Sequence, residues 1–372
     1  MAAKVWGWMK KEAVLCIAFV CAAVSAFWVP PTAAWLGYID WNVLMQLFCL
    51  MAVVAGLQAS GLFDWMGRRL LAGRKSFRLL CGVLVLLPFF SSMLITNDVA
   101  LLTFVPFAVL LLGLCGRAEQ APLVVVLQTA AANLGSMALP MGNPQNLYLY
   151  SRYGFSFGEF LALVGPFAAV SLVGVLLPCL LLPNQSVQVR MDSPAPAPAA
   201  RSLALFGTLF VLCLLSVLHV LPVPVVFVVT LAALLLLSRS TLRTVDYSLL
   251  ATFVCFFIFS GNLGAIPAVR GLLEAMLARS TLFTAAAASQ LISNVPAAVL
   301  LSGFTNDGAG LLLGTDLGGL GTPVASLASL ISLKLYARSP NARMGRFLGW
   351  FAAVNLAGLV VLLAMAWAMG LA

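Results

Sequence analysis

The chain has 372 residues, 63% of them hydrophobic and only 8% charged, with a mean hydropathy of +1.08. A water-soluble globule with a polar surface is excluded, and the apolar runs recur too closely to leave room for a separate soluble domain. The net charge of +9 would suggest nucleic acid in a soluble protein, but here the basic residues sit in short stretches between apolar runs, where orientation during membrane insertion accounts for them.

In chain order the runs predict nine full crossings, at roughly 12–29, 41–60, 121–150, 158–183, 202–220, 223–238, 247–266, 308–333 and 347–370. The first follows Lys4, Lys10 and Lys11 as a signal peptide would, but no small-residue cleavage site follows it, and it reads as a retained helix. Two further apolar segments, 79–115 and 281–304, read as re-entrant hairpins with tips "SSMLITND" and "QLISNVP". Leu79 to Phe90 spans only about 18 Å as a helix, short of a hydrocarbon core of about 30 Å, so that arm is expected to turn back. The expected arrangement puts the N-terminus in the cytoplasm and the C-terminus outside. It places seventeen basic residues on the cytoplasmic side and only Arg152, Arg270 and Arg279 on the other.

The halves resemble each other in order. "DWNVLMQLFCLMAVVAG" from Asp40 answers "DYSLLATFVCFFIFSGN" from Asp246, "LITNDVA" answers "LISNVPA", and "ANLGSMALP" answers "TDLGGLGTP". With Asp40 outside and Asp246 inside, the repeats are inverted, and inverted repeats with interrupted apolar segments point to a secondary transporter. The expected fold is an all-α polytopic membrane protein: an N-terminal helix (1–37), a first repeat (38–183), a cytoplasmic Pro/Ala linker (184–201) and a second repeat (202–372), with broken helices at 121–150 and 308–333. The stretches "GLFDWMGRRLLAGRKSFR" and "PAVRGLLEAMLARS" read as interfacial arm helices leading into the hairpins.

Polar residues interrupt these apolar segments at four places, and irregular backbone at membrane depth is tolerated only where protein or a watery cavity satisfies it. Such breaks free helix N-termini, which attract anions without lysine or arginine. The expected substrate-binding set is Thr96, Asn97, Asn133, Gly135, Ser136, Gly142, Asn143, Ser293, Asn294, Thr315, Gly318, Gly319 and Thr322. Asp98 and Asp316 are the acidic residues placed at membrane depth, as candidates for ion coupling. Two readings stay open for each: coupling of a proton or of a sodium ion held by Asn97, Asp98, Asn294 and Asp316, or a structural role such as capping a half-helix. Ser91, Ser92, Gln128 and Gln290 read as ordinary interhelical hydrogen-bonders. The eight cysteines are scattered singly and read as small buried or lipid-facing residues, and the single His219 reads as structural.

At "TNDVALLTFVP", "NLGSMALPMGNPQN" and "SQLISNVPAAVLL" the chain resembles the arsenite-permease and sodium/proton-antiporter branch of the ion-transporter superfamily, which also holds citrate-transporter-like permeases and divalent-anion/sodium symporters. The resemblance covers roughly residues 38–370. It implies two hairpins and two unwound helices enclosing a solute that moves by an elevator-like displacement, with Asn97 and Asn294 as hairpin-tip asparagines. Dicarboxylate symporters of that group carry Ser-Asn-Thr at both tips, whereas this chain has Thr96-Asn97-Asp98 and Ser293-Asn294-Val295.

The functional expectation is an ion-coupled secondary transporter of a small anion or oxyacid (arsenite, an inorganic anion or a carboxylate) in a bacterial inner membrane. A sodium/proton antiporter is the alternative and an intramembrane aspartyl protease the remote one. No cofactor is expected beyond the coupling ion. The expected partners are the solute and membrane lipid, with a homodimer compatible, and neither nucleic acid nor a soluble ATPase is implied.

Overall fold

The computed structural model describes residues 12–71, 73–189, 197–339 and 342–371. Lys4, Lys10, Lys11 and Arg190 of the sidedness reading, and the first three residues of the linker's Pro-Ala run, lie outside the described residues.

The architecture is helical throughout, apart from two short strands. The helices are α1 (Ala13–Ser25), α2 (Trp41–Ala59), α3 (Leu62–Leu71), α4 (Phe77–Ile95), α5 (Asn97–Leu114), α6 (Ala121–Ser136), α7 (Pro144–Tyr153), α8 (Phe157–Leu176), α9 (Ala200–Val217), α10 (Val223–Leu237), α11 (Tyr247–Gly264), α12 (Pro267–Arg279), α13 (Thr281–Ile292), α14 (Asn294–Leu301), α15 (Gly308–Leu317), α16 (Leu327–Ala337) and α17 (Met344–Ala368). Seven helices among the described residues are long and apolar enough to cross a membrane, and shorter apolar helices fill in between them. The chain is an integral membrane protein.

Both predicted hairpins form. Thr96 alone joins α4 to α5, and Ser293 alone joins α13 to α14. Arg117, just past α5, lies over the ring of Phe77 at the start of α4, 5.7 Å from its centre, so the open ends of the first hairpin meet. Thr281, which opens α13, is 3.5 Å from Thr305 beyond α14 (Oγ1 to Oγ1), and the second hairpin closes the same way. The short-arm argument for the first hairpin does not hold. Helix α4 runs through Ser91 and Ser92 to Ile95, because each hydroxyl donates to its own helix (Ser91 to Leu87 O, 2.6 Å; Ser92 to Phe89 O, 3.0 Å) and leaves the backbone ladder intact. At 19 residues, about 28 Å long, that arm is a full span in length, and the hairpin turns at Thr96 instead.

Both expected broken helices are also present. Helix α6 stops at Ser136 and the chain resumes as α7 at Pro144; α15 stops at Leu317 and α16 begins at Leu327. Every residue of α6 is buried, which makes it the centre of the molecule. It packs against α4, α5, α8, α16 and α17, while α15 packs against α13, α14 and α7. Small residues set these approaches, as expected where close van der Waals packing rather than the hydrophobic effect holds helices together. A β-carbon on Gly135 would lie 2.1 Å from the carbonyl oxygen of Phe89, and one on Gly318 would lie 2.8 Å from the Cα of Ala286. Gly135 and Gly318 correspond in the repeat, and Phe89 and Ala286 each stand eight residues before the tip asparagines Asn97 and Asn294. The same contact is therefore built twice.

Two departures concern the periphery, while the cysteines lie as expected. The predicted crossing at 12–29 is a 13-residue helix that ends before Pro30 and Pro31. The first residues of the expected linker form β2 (Ser186–Val189), antiparallel to β1 (Gly73–Ser76) with Gly73 opposite Val189, so the linker starts as a strand pinned to the arm that leads into the first hairpin. Of the cysteines, Cys49, Cys81, Cys179 and Cys213 are buried and the other four half-buried, all as free thiols.

Candidate functional site

The two hairpin tips share one unusual conformation. Thr96 has φ 69° and ψ 150°, and Ser293 has φ 73° and ψ 153°. A residue with a β-carbon is strained in this region by about 1–3 kcal/mol, and such strain gathers at functional sites. The next residue then does the capping. Asn97 Oδ1 accepts from the N–H of Asp98 (3.0 Å) and Asn294 Oδ1 from that of Val295 (3.0 Å), so each asparagine turns its amide nitrogen inward. No hydrogen bond made by the Asp98 carboxylate caps α5 among the described residues; the side chain is half-buried and lines a cavity.

From the first tip a hydrogen-bonded chain crosses the core. Asn97 Nδ2 donates to Asn133 Oδ1 (3.1 Å), and Ser136 Oγ donates to the Asn133 carbonyl (2.9 Å). Asn143 Nδ2 then reaches Ser136 Oγ at 3.2 Å and Asp316 Oδ1 at 3.4 Å. Every side chain in this chain is buried. Asp316 is 4% exposed, and its Oδ2 finds no hydrogen-bond partner among the described residues. An unsatisfied carboxylate oxygen at that depth costs several kcal/mol unless a proton or a cation sits on it.

The network links the repeats reciprocally. Asn133 ends the first half-helix of repeat one and Asp316 holds the matching place in repeat two; Asn143 caps α7, and Ser326 is its counterpart before α16. Ser326 Oγ donates to Asn133 (3.0 Å), as Asn143 donates to Asp316, so each repeat's second half-helix is tied to the end of the other repeat's first. Asn133 Nδ2 also donates to Ser329 Oγ (3.1 Å). Ser326 and Ser329 were missed from sequence, although continuing the repeat alignment past Pro323 lands them opposite Asn143 and Asn146.

The remaining expected residues divide. Asn294 donates its backbone N–H to Ala325 O (2.9 Å), and its amide nitrogen stands 3.0 Å from where a Gly319 β-carbon would be, so it faces the end of α15. Gly142 lets the unwound segment fold back onto α6, since a β-carbon there would meet the Ser136 carbonyl at 2.1 Å. Gly135 and Gly318 serve helix contact. Thr315 spends its hydroxyl on Leu311 O (2.9 Å) of its own helix, and Thr322 is exposed and bound to Gln290 O (3.2 Å). Gln290, read as an ordinary hydrogen-bonder, braces the second unwound segment: its Nε2 donates to Gly318 O (2.7 Å) and Leu320 O (2.9 Å), and its Oε1 accepts from Thr322 N (2.9 Å). Of the four residues suggested for sodium, Asp98 opens onto the cavity and Asp316 lies in the interior. Among the described residues no three Asp, Glu, His or Cys side chains converge to hold a metal ion.

A cavity of about 550 Å³ receives the first tip. Thr96 and Asp98 at the start of α5, Asn143 and Pro144 at the start of α7, and Asp246 to Leu249 at the start of α11 all line it, with Arg243 near the last of these. Helix starts carry about half a positive charge and favour an anion, while the Glu12, Asp98 and Asp246 carboxylates that share the lining with Arg243 favour a cation beside it. The family model for the citrate transporter matches residues 1–306. The chain belongs to the citrate transporter family. It is 32% identical over 317 residues to the inner membrane protein YbiR of Escherichia coli, covering 83% of this chain and 84% of that one. It is 30% identical over 339 residues to an uncharacterized transporter of Methanocaldococcus jannaschii, covering 88% and 90%. At 24% identity over 342 residues it also matches the arsenical pump membrane protein of Escherichia coli, covering 81% and 80%. This citrate transporter family member is a membrane transporter, and the superfamily resemblance read from its motifs holds.

Proposed function

We propose that the protein is an ion-coupled secondary transporter of a small anion or oxyacid, held at the starts of α5 and α7 and carried by an elevator-like displacement of the hairpins and broken helices. The observation that supports this reading is the convergence of those two helix starts, with Asn97 and Asn143 behind them, on one cavity where Arg243 and the carboxylates Glu12, Asp98 and Asp246 are the charged lining, a setting for an anion together with a coupling cation. The family's citrate-transporting name and the arsenical-pump relative both fit an anion or oxyacid. Asp316 is the proposed coupling group, with its free oxygen taking a proton or sodium ion, and Asp98 the second candidate. The inner membrane is the proposed location, in line with the printed name of the Escherichia coli relative.

The same lone carboxylate oxygen favours a second reading, a sodium/proton antiporter. Uptake of labelled citrate, phosphate, sulfate and arsenite into proteoliposomes under imposed pH or sodium gradients separates the two. The expected result is gradient-dependent uptake of one of these solutes, abolished in Asn97→Ala and Asn294→Ala, with a changed ion or pH dependence in Asp316→Asn. Sodium-driven proton movement in the absence of any of them would establish the antiporter instead.

A further inference from the structure

A second and larger cavity, of about 810 Å³, lies at the other end of the molecule. Helix α7 connects the two, since its first residue, Pro144, lines the smaller cavity and Arg152, in its last turn, lines the larger. Arg152, Arg270 and Arg279, the three basic residues that the sidedness reading sets apart from the other seventeen, all line this one basin. Its acidic residues are already engaged: Glu274 pairs with Arg270 (2.8 Å), and Asp307 caps α15 by accepting from Gly310 N (2.8 Å). Arg152 and Arg279 are exposed and form no ion pair among the described residues. The wall of the basin continues along α15 to Leu313, one helical turn before Asp316.

Resting on the transport reading, we propose that this basin is a second oxyanion-binding site, in which Arg152 and Arg279 capture the transported anion at the end opposite the smaller cavity. Guanidinium groups match carboxylate and phosphate oxygens in paired hydrogen bonds, and a charged recess raises the local concentration of its counter-ion. Each arginine also ends a helix, α7 and α12, where a cation is favoured by the helix dipole alone. That role would be indifferent to anions in solution.

The test is arginine modification by phenylglyoxal, mapped by mass spectrometry on the full-length protein in phosphatidylcholine nanodiscs. Citrate or phosphate is expected to slow modification of Arg152 and Arg279 while leaving Arg201 and Arg346 unaffected, with the same protection in Asn97→Ala, which needs no turnover. Equal rates at all four sites with and without these anions would overturn the proposal even if uptake is observed. Protection by phosphatidylglycerol nanodiscs alone, with no further effect of citrate or phosphate, would make the basin a lipid-headgroup seat and equally overturn capture of the solute. In proteoliposomes that transport, Arg152→Gln/Arg279→Gln should raise the half-saturating concentration roughly 10-fold at low salt with maximal rate unchanged, and Arg→Lys should restore part of it. An unchanged half-saturation counts against the site.

Discussion

Thr96 and Ser293 show how little of a residue's role its type reveals. Both carry hydroxyls, yet what they share is a backbone conformation close to (70°, 150°), which glycine adopts without strain. The turn forces each following asparagine to cap its own helix and face the core. Thr96→Gly or Ser293→Gly relieves strain of about 1–3 kcal/mol, offset by about 0.5–1 kcal/mol for the added freedom of glycine in the unfolded chain. The expected outcome is an unchanged or higher melting temperature of the detergent-purified protein, together with slower transport as the tip loosens. A clear loss of thermal stability in both variants would mean the hydroxyls hold the tips, not the backbone. Residue identity in the sequence did locate the tip asparagines and Asp316, because polar groups in apolar runs are conspicuous. Ser326 and Ser329 stayed hidden because serines are common between helices and their partner, Asn133, lies nearly 200 positions away.

At the scale of elements, α4 was legible in place but not in length. Its interruption at Ser91 and Ser92 is cancelled by local hydroxyl bonds, and its interior Pro88 is accommodated by a neighbour. Pro88 has no N–H for the Leu84 carbonyl, and Gln128 of α6 supplies one instead, Nε2 to O at 2.8 Å. Gln128→Leu should leave that buried carbonyl unsatisfied, at a cost of about 1–3 kcal/mol and a lower melting temperature. Pro88→Ala in the same chain restores the backbone donor, so the double variant should recover most of the loss. If the two substitutions are simply additive, Gln128 is not the partner that lets α4 tolerate its proline. The paired strands escaped notice for a different reason: a glycine and three polar residues carry no period of their own, and β1 pairs with a β2 that arrives from more than a hundred residues away. Gly135 and Gly318, expected from the sequence in the binding set, set close helix contact.

For the whole molecule, the two repeats are legible in order and again in geometry. The first hairpin opens near Arg117, where α6 begins, and the broken helix α6–α7 runs from there through the core to the basin at Arg152. The second hairpin opens at that basin, which Thr281 and Thr305 line, so the hairpins enter from opposite ends. Between the two cavities stands the contact of Asn143 with Asp316: Asn143 lines the smaller cavity, and Asp316 lies one turn beyond Leu313 in the wall of the larger. Electron cryo-microscopy of the protein in nanodiscs, loaded with whichever anion the uptake assay passes, tests the proposed anion site most directly. The account predicts density for that anion against Thr96, Asn143 and the first turns of α5 and α7, with both hairpins closed on their own ends. Density elsewhere, or hairpin arms that run through to opposite faces, would contradict it.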